Sequence, residues 1–182
     1  MKKLLLFSAL VSISFFVNAQ STYKAFKVDI DLGYAIPSAS TGTNGTKAGA
    51  TFTIEPHYRL SDDLAVGFRF EGAALGYEES NGTSDKVHVS VLSSYCPTLE
   101  YYFAKDGFRP FACAGLGIFS QQSVTSSGGN ASLVPGASSF GFFPRVGFEA
   151  GHFRMSAAYD IVGNNSSYVA FTIGAFFGGG KK

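Results

Sequence analysis

The sequence predicts an all-β protein: an eight-stranded antiparallel up-and-down transmembrane β-barrel. Eight segments alternate apolar residues with polar or small ones at period two, and helical periodicity is missing after residue 19. Most of these segments are near the ~9–11 residues that a tilted strand needs to cross a bilayer. The connections between them alternate between long and short, which is typical of bacterial outer-membrane barrels.

The first 19 residues have the features of an export signal. Lys2 and Lys3 give a positive start, an uncharged apolar stretch follows, and Ala19 is a small residue before the expected cut. A retained membrane anchor is the alternative, but the stretch is shorter than the ~20 apolar residues of a spanning helix. The predicted boundaries are a cleaved signal peptide at 1–19, a short leader at 20–24, the barrel at 25–177 and a Gly/Lys tail at 178–182.

The charge and motifs of the chain exclude several classes of function. Removal of the signal lowers the 14 lysines and arginines to 12, against 13 acidic residues, so we expect no nucleic-acid partner. His57 and His152 lack metal-ligand spacing, and the sequence has no phosphate loop, dinucleotide motif or CxxC. No cofactor or metal is therefore expected.

The first four strands are predicted at 25–36, 50–60, 64–77 and 87–103. In each, alternate residues are large and apolar, while the residues between them are charged, hydroxylated or small. The apolar faces include Phe26, Ile30, Leu32 and Tyr34 in the first strand, Phe52, Ile54 and Tyr58 in the second, Val66, Phe68 and Phe70 in the third, and Tyr95, Leu99 and Tyr101 in the fourth.

The last four strands are predicted at 109–119, 140–150, 153–162 and 168–177. The fifth is small and glycine-rich, and its apolar face is assigned to Phe111, Cys113 and Phe119. The other three alternate clearly, with apolar faces that include Phe140, Phe142, Val146 and Phe148 in the sixth, Phe153, Met155 and Tyr159 in the seventh, and Phe171, Ile173 and Phe177 in the eighth.

The connections predict the orientation of the chain. Those after odd-numbered strands are long and polar, at 37–49, 78–86, 120–139 and 163–167, and those after even-numbered strands are short turns. Long loops lie outside the cell and short turns in the periplasm in such barrels, so we expect both termini to be periplasmic. The 120–139 segment exceeds what a connection needs and is the best candidate for surface contacts.

Charged residues fall on the face that an eight-stranded barrel would turn inward. A charge on the lipid face at mid-bilayer would cost about 2–4 kcal/mol, so its absence there is informative. Inward charges should pair with one another, which favours a plugged interior; a narrow gated path is the alternative. The predicted interior network consists of Lys27, Asp29, Asp31, Glu55, Arg59, Arg69, Glu71, Glu100, Arg145, Glu149, Arg154 and Asp160.

Two further expectations concern cysteines and prolines. Cys96 and Cys113 are assigned to opposite faces of neighbouring strands, which disfavours a disulfide. Pro56, Pro97 and Pro144 lie on the apolar faces of even-numbered strands, where each removes a ladder donor. We therefore expect a bulge or bend at each proline.

A soluble β-sandwich would show the same alternation, with the apolar faces forming its core. Two features disfavour it. The polar face carries acids and bases in mixture, and aromatic residues gather near the strand ends, as in the girdles of membrane barrels.

Two segments and the aromatic ending carry a family resemblance. The 55–67 hairpin (EPHYRLSDDLAVG) and the 109–117 strand (RPFACAGLG) resemble the small porin-like outer-membrane β-barrel family of Gram-negative bacteria. These barrels are similar to the transmembrane domain of outer membrane protein A and its small stand-alone relatives. The resemblance implies outer-membrane lipids and the barrel-insertion machinery as partners, with Phe171, Phe176 and Phe177 as the C-terminal insertion signal. Here residues 178–182 follow the aromatic ending, where the strictest family pattern ends on the aromatic residue.

Three functional hypotheses follow. The first is a non-enzymatic barrel whose extracellular loops have structural roles or bind an extracellular surface ligand. The second is a narrow porin-like channel for ions or small solutes. The third is a lipid A-modifying enzyme, because His88 and Ser90 resemble the His-x-Ser pair of an outer-membrane lipid A deacylase; two polar inward residues are the ordinary interpretation.

Overall fold

The computed structural model describes residues 22–38, 47–80, 85–127, 130–163 and 166–182, and their side chains except those within 77–89 and 123–135. The predicted signal peptide lies outside these residues. None of the described residues belongs to a helix with the length and apolarity needed to cross a bilayer.

Eight antiparallel strands close into a barrel, which confirms the predicted fold class. Each strand pairs with the next, and β8 pairs with β1. The strands are β1 Phe26–Pro37, β2 Lys47–Arg59, β3 Leu64–Ser80, β4 Asp85–Tyr102, β5 Phe108–Ser127, β6 Asn130–Ala150, β7 Phe153–Val162 and β8 Tyr168–Gly178. We call the end with both chain termini the terminal end and the opposite end the loop end.

The two faces of the wall follow the sequence alternation. On β1, Ile30 is 39% exposed and Leu32 is 63% exposed, whereas Asp29 and Asp31, which alternate with them, are buried. The same pattern of exposed apolar and buried charged side chains continues around the barrel. A soluble sandwich would bury these apolar side chains, so the pattern fits a wall surrounded by lipid.

The connection predicted at 120–139 is largely a β-hairpin, so the prediction of a polar loop there was wrong. β5 extends to Ser127, β6 starts at Asn130, and the two pair from Gln122↔Pro135 to Ser127↔Asn130, with a register shift between Ser120 and Gln122. Serine, threonine and glutamine form strands readily when a neighbouring strand satisfies their backbone groups. Polarity alone therefore does not mark the end of a strand above the membrane.

The predicted bulges at the three prolines were also wrong. The β4–β5 ladder lacks pairs at Cys96 and Pro97, yet Tyr95↔Ile118 and Thr98↔Gly115 keep one register. The β2–β3 and β6–β7 ladders show the same gap beside their prolines. Proline lacks an N–H, so the hydrogen bonds to one neighbouring strand are lost at this position. The register on either side of the gap is unchanged, so no extra residue is inserted as in a bulge.

The assignment of faces in β5 was wrong. Phe111, Cys113 and Phe119 are buried in the interior, while Leu116 and Ile118 are each 54% exposed. The physical reason is Arg109, which has the same parity and pairs with buried Glu149 across the β5–β6 ladder. A phenylalanine can face either the lipid or the interior, whereas a charged arginine is costly in lipid. Arg109 therefore determines the inward face of β5 more strongly than the phenylalanines do.

The placement of the cysteines changes with this correction. Cys96 and Cys113 are both buried in the interior, in one apolar cluster, rather than on opposite faces. Both are free thiols.

The leader and the tail pair with each other at the terminal end. Tyr23 forms an isolated antiparallel bridge with Lys181, and the Lys24 amide donates to the Gly180 carbonyl at 2.9 Å. Lys181 also forms an ion pair with Asp106 in the β4–β5 turn. These contacts bring the Tyr23 side chain, which is 7% exposed, over the barrel mouth.

Candidate functional site

The interior of the barrel holds a charge network that extends from the terminal end to beyond its middle. Every residue predicted for the network lies inside and is buried. The sequence prediction did not include Arg109, and it considered His57 only as a metal ligand. With these two, the buried charged groups among the described residues are seven carboxylates, six lysines and arginines, and one histidine. A protonated His57 would therefore balance the interior charge.

The centre of the network consists of two arginines that cross the lumen. Arg145 donates to both oxygens of Glu55, at 2.5 and 3.0 Å. Arg154 donates to Glu100 Oε2 at 2.5 Å and to Glu149 Oε1 at 2.7 Å. Pairs with several charge-assisted hydrogen bonds can be retained in a low-dielectric interior, where single unpaired charges are very costly.

Lys27 connects the centre to the terminal end. Its Nζ is 3.1 Å from Asp29 Oδ1, forms an ion pair with Glu149 and donates to the Tyr102 hydroxyl at 2.7 Å. Tyr102 was not predicted as part of this network. Its parity on β4 is nevertheless inward, because Tyr101 beside it faces outward and is 48% exposed.

Arg69 organises the next level towards the loop end. Its Nη2 donates to Asp160 Oδ1 at 2.5 Å, and its Nη1 is 3.4 Å from Glu71 Oε2. The guanidinium carbon lies 3.5 Å from the centre of the Phe143 ring, a stacked cation–π contact. Tyr168 donates to the other oxygen of Glu71 at 2.5 Å.

An apolar layer lies above this level and was not predicted from the sequence. Its residues form one buried cluster near the loop end: Ala35, Ala73, Leu75, Leu92, Tyr168 and Ala170. Apolar constrictions exclude water and thereby ions. The charged levels and this layer follow one another along the described interior, from the terminal end towards the loop end.

One group of carboxylates and imidazole has the spacing of a metal site. Ligand atoms of Asp29, Glu55 and His57 lie within 4.8 Å of one another. Cations of the protein already neutralise these acids, since Asp29 contacts Lys27 and Arg154 and Glu55 contacts Arg145. The arrangement fits an internal salt-bridge cluster better than a metal centre.

The remaining predicted site residues are dispersed. The His88 side chain lies outside the described side chains, and Ser90 accepts a hydrogen bond from Gln121 Nε2 at 3.1 Å. Phe171 and Phe177 are on the outer face, 53% and 60% exposed, whereas Phe176 points inward and is 5% exposed. Their role as an insertion signal stays a prediction.

Comparison with known proteins agrees with this geometry. A family model described as "Outer membrane protein beta-barrel domain" matches residues 7–178. No curated protein sequence matches the chain.

Solved structures share the fold, among them the following three. Neisserial surface protein A is 19% identical with a TM-score of 0.56, over 86% of this chain and 98% of that chain. Ail, the attachment invasion locus protein of Yersinia pestis, is 18% identical with a TM-score of 0.54, over 85% and 100% of the respective chains. OprG, from Pseudomonas aeruginosa, is 13% identical with a TM-score of 0.51, over 87% and 98%. At these identities the likeness shows the fold alone. Since the family model spans most of the chain, the protein belongs to the outer membrane protein β-barrel domain family and is located in the Gram-negative outer membrane.

Proposed function

We propose that this barrel is a non-enzymatic, non-conducting scaffold that presents a β-sheet at its loop end to a ligand outside the cell. The first half of the proposal, that the barrel does not conduct, is carried by the ion pairs and the apolar layer inside the lumen. Arg145, Arg154 and Arg69 cross the lumen as ion pairs, and Leu75 and Leu92 contribute to the apolar layer above them. A solute would have to break several buried ion pairs and then cross a dry layer.

The second half rests on the lengths of the strands. The β6–β7 ladder begins at Gly141↔Val162, so among the described residues 130–138 pair only with β5. β3 and β4 also extend outward, pairing as far as Ser80↔Asp85. Strands β3 to β6 therefore form a sheet that rises above the rest of the wall, with the outer part of β6 along one edge. A strand edge of this kind binds extended polypeptides by adding a strand.

The charge of the outer segments favours such a partner over a polyanion. Residues 37–49, 78–86, 120–139 and 163–167 contain two lysines and three acids, and the 120–139 segment has no charged residue. Its serine, threonine, glutamine, asparagine and glycine residues offer hydrogen bonds without a basic patch. Recognition would then depend on the backbone of β6.

Single-channel recording tests the first half. The full mature chain is inserted in a planar bilayer of uncharged lipid, and we expect no stepwise current at physiological ionic strength. Reproducible steps from the wild-type barrel would contradict a plugged interior and would support the alternative of a narrow channel for ions or small solutes.

Peptide selection tests the second half. A library of short random peptides is displayed on phage and selected on the folded barrel, with a variant lacking residues 121–137 as the matched comparison. Because Ser120 pairs with Ser138, a two-residue Asn-Gly turn inserted between them closes the shortened hairpin and leaves the membrane wall unchanged. We expect enrichment on the full barrel and none on the shortened one. Equal enrichment on both would exclude the β6 edge as the binding surface.

The non-enzymatic assignment has its own test. A His88→Ala variant that folds is compared with the wild type by mass spectrometry of lipid A from cells producing each. We expect identical lipid A in both. Loss of a modification in the variant alone would revive the lipid A-modifying hypothesis.

A further inference from the structure

Two arginines at the terminal end differ from the other arginines of the interior. Arg59, the last residue of β2, is fully buried, and Arg109 of β5 is 4% exposed. Among the described residues, none accepts a hydrogen bond from Nε, Nη1 or Nη2 of Arg59, or from Nε or Nη2 of Arg109. Arg145 and Arg154, by contrast, each donate to two carboxylates. A buried guanidinium N–H without an acceptor lowers the stability of the folded state. An added acceptor would therefore stabilise both side chains.

Among the described residues, Glu149 is the one acid within 4 Å of both guanidinium groups. Glu149 Oε2 lies 3.8 Å from Arg59 Nη2 and 3.9 Å from Arg109 Nη1, beyond hydrogen-bond distance. The other oxygen of Glu149 is already occupied by Lys27 and Arg154. Oε2 itself has no hydrogen-bond partner in the described part of the chain. The two guanidinium groups and Glu149 Oε2 therefore face the same small region.

Aromatic rings hold both guanidinium groups by their faces. Arg109 Cζ lies 4.4 Å from the Tyr23 ring centre and 4.1 Å from that of Tyr102. For Arg59 the corresponding distances are 4.8 and 4.9 Å. Stacking fixes the plane of a guanidinium and leaves its N–H edge available. The pair is thus oriented but lacks acceptors.

A cavity of about 260 Å³ is lined by Arg109 and Glu149 and opens at the terminal end. Arg59 is not part of its lining, but its Nη2 lies 3.8 Å from Glu149 Oε2. Its charged and polar lining residues are Arg109, Glu149, His152 and Lys181, and the rest of the lining consists of Tyr23, Phe176 and glycines of the tail and turns. A Cβ built at Gly180 would meet no atom within 4 Å, so the space beside the tail is open. A water molecule occupies about 30 Å³ of liquid, so this volume accommodates a small hydrated anion.

We propose that Arg59 and Arg109 form a binding site for a phosphate group that still carries a hydroxyl, entering through this cavity. The planar fork of arginine matches the oxygen atoms of phosphate and binds them with charge-assisted hydrogen bonds. Glu149 Oε2 accepts the hydrogen bond of the phosphate hydroxyl. Sulfate has no such hydrogen at neutral pH, so the same carboxylate repels it. The site is independent of the function proposed for the loop end.

Phosphate binding is measured on the purified full barrel in uncharged detergent. A ligand that binds only the folded state raises its unfolding midpoint with a saturable concentration dependence. The midpoint is followed by the gel mobility of the folded band during heating, and ³¹P line broadening reports binding directly. Sodium phosphate is compared with sodium sulfate and sodium chloride at equal ionic strength. We expect saturable stabilisation by phosphate alone.

Two variants and one control locate the site. Arg109→Gln removes a charged donor and should weaken phosphate binding by about tenfold or more. Gly180→Leu narrows the cavity without removing a charge and should also weaken binding, which covers the case that Arg109→Gln does not fold. Lys105→Gln changes a cation at the same end whose side chain is 66% exposed, and it should leave binding unchanged.

The contrary results are equally specific. Stabilisation by phosphate that does not exceed that by chloride would overturn the site, as would unchanged phosphate binding in both Arg109→Gln and Gly180→Leu. Equal binding of sulfate would overturn the role of Glu149. A further arm replaces inorganic phosphate with phosphatidic acid in the micelle. Binding to this lipid but not to inorganic phosphate would overturn entry of a soluble anion through the cavity.

Discussion

Arg145 of β6 and Glu55 of β2 form a two-point ion pair across the barrel, with Nη1 2.5 Å from Oε2 and Nη2 3.0 Å from Oε1. Their strands are four apart in a ring of eight, so the pair joins opposite walls. In the proposed plug, this ion pair closes the lumen, and it also connects opposite walls of the barrel. The two roles can be separated by mutation.

Replacing Arg145 with methionine should destabilise the barrel by about 3–5 kcal/mol, because Glu55 is left buried without its guanidinium partner. Unfolding in urea, followed by gel mobility or tyrosine fluorescence, gives the free energy; the chain has no tryptophan. The double variant Glu55→Gln, Arg145→Met should recover part of the loss. Additive losses would show that the pair is not coupled.

A charge introduced on the outer wall should have a cost that depends on depth. Ile30→Arg, in the middle of β1, should cost about 2–4 kcal/mol, and Ile36→Arg, near the loop end of the same strand, about 0–1 kcal/mol. Both isoleucines are on the outer face, 39% and 42% exposed. Free energies of unfolding in lipid vesicles measure the difference. Equal costs at the two positions would contradict the proposed membrane depth of β1.

The two cysteines should be protected from reagents in the folded barrel. Cys96 is fully buried and Cys113 is 5% exposed, with its Sγ 3.2 Å from Arg145 Nη2. Mass spectrometry after maleimide treatment should find neither thiol modified before unfolding and both modified after it. A Ser138→Cys variant, at an exposed position of β6, provides the reactive control. Modification of Cys113 in the folded state would contradict its inward placement.

The contact between leader and tail should weaken in acid. The hydrogen bond from Lys181 lowers the pKa of Asp106 below its usual value near 3.8, so the carboxylate favours the paired state. This contribution is present above the unfolded pKa and is lost as the pH falls through the lower folded pKa. The amide protection factor of Lys24, which donates to Gly180, should therefore fall in that acidic range.

Asp106→Asn is the control for this pH effect. Its side chain at 106 cannot titrate, so its Lys24 protection factor should fall less in acid than that of the wild type once intrinsic exchange is corrected; the contact of the Thr22 amide with Asp62 stays in both. Identical pH dependence in the wild type and in Asp106→Asn would show that another group controls the tail.

Period-two alternation by itself determined most of the barrel. Where a strand carries charges, as β1 does at Asp29 and Asp31, the cost of a charge in lipid leaves one choice of inward face. The same reasoning located the strands and placed the charged residues of β2, β3, β4, β6 and β7 in the interior. Alternation did not locate the outer ends of the long strands, because a strand surrounded by water is polar on both faces and shows no apolar alternation.

Tertiary structure alone decided the arrangement within the lumen. β5 has phenylalanine and small residues on both faces, and the one signal in its sequence is the parity of Arg109; the closed barrel shows what this residue pairs with, which is Glu149 across the ladder. The partner of each acid depends on which walls the closed barrel brings opposite each other: Glu55 and Arg145 are 90 residues apart in the chain. The pairing of the leader with the tail follows in the same way from closure of β1 on β8, which brings the two ends of the chain together. Local sequence determines which way a side chain points, but only the closed ring determines what it meets.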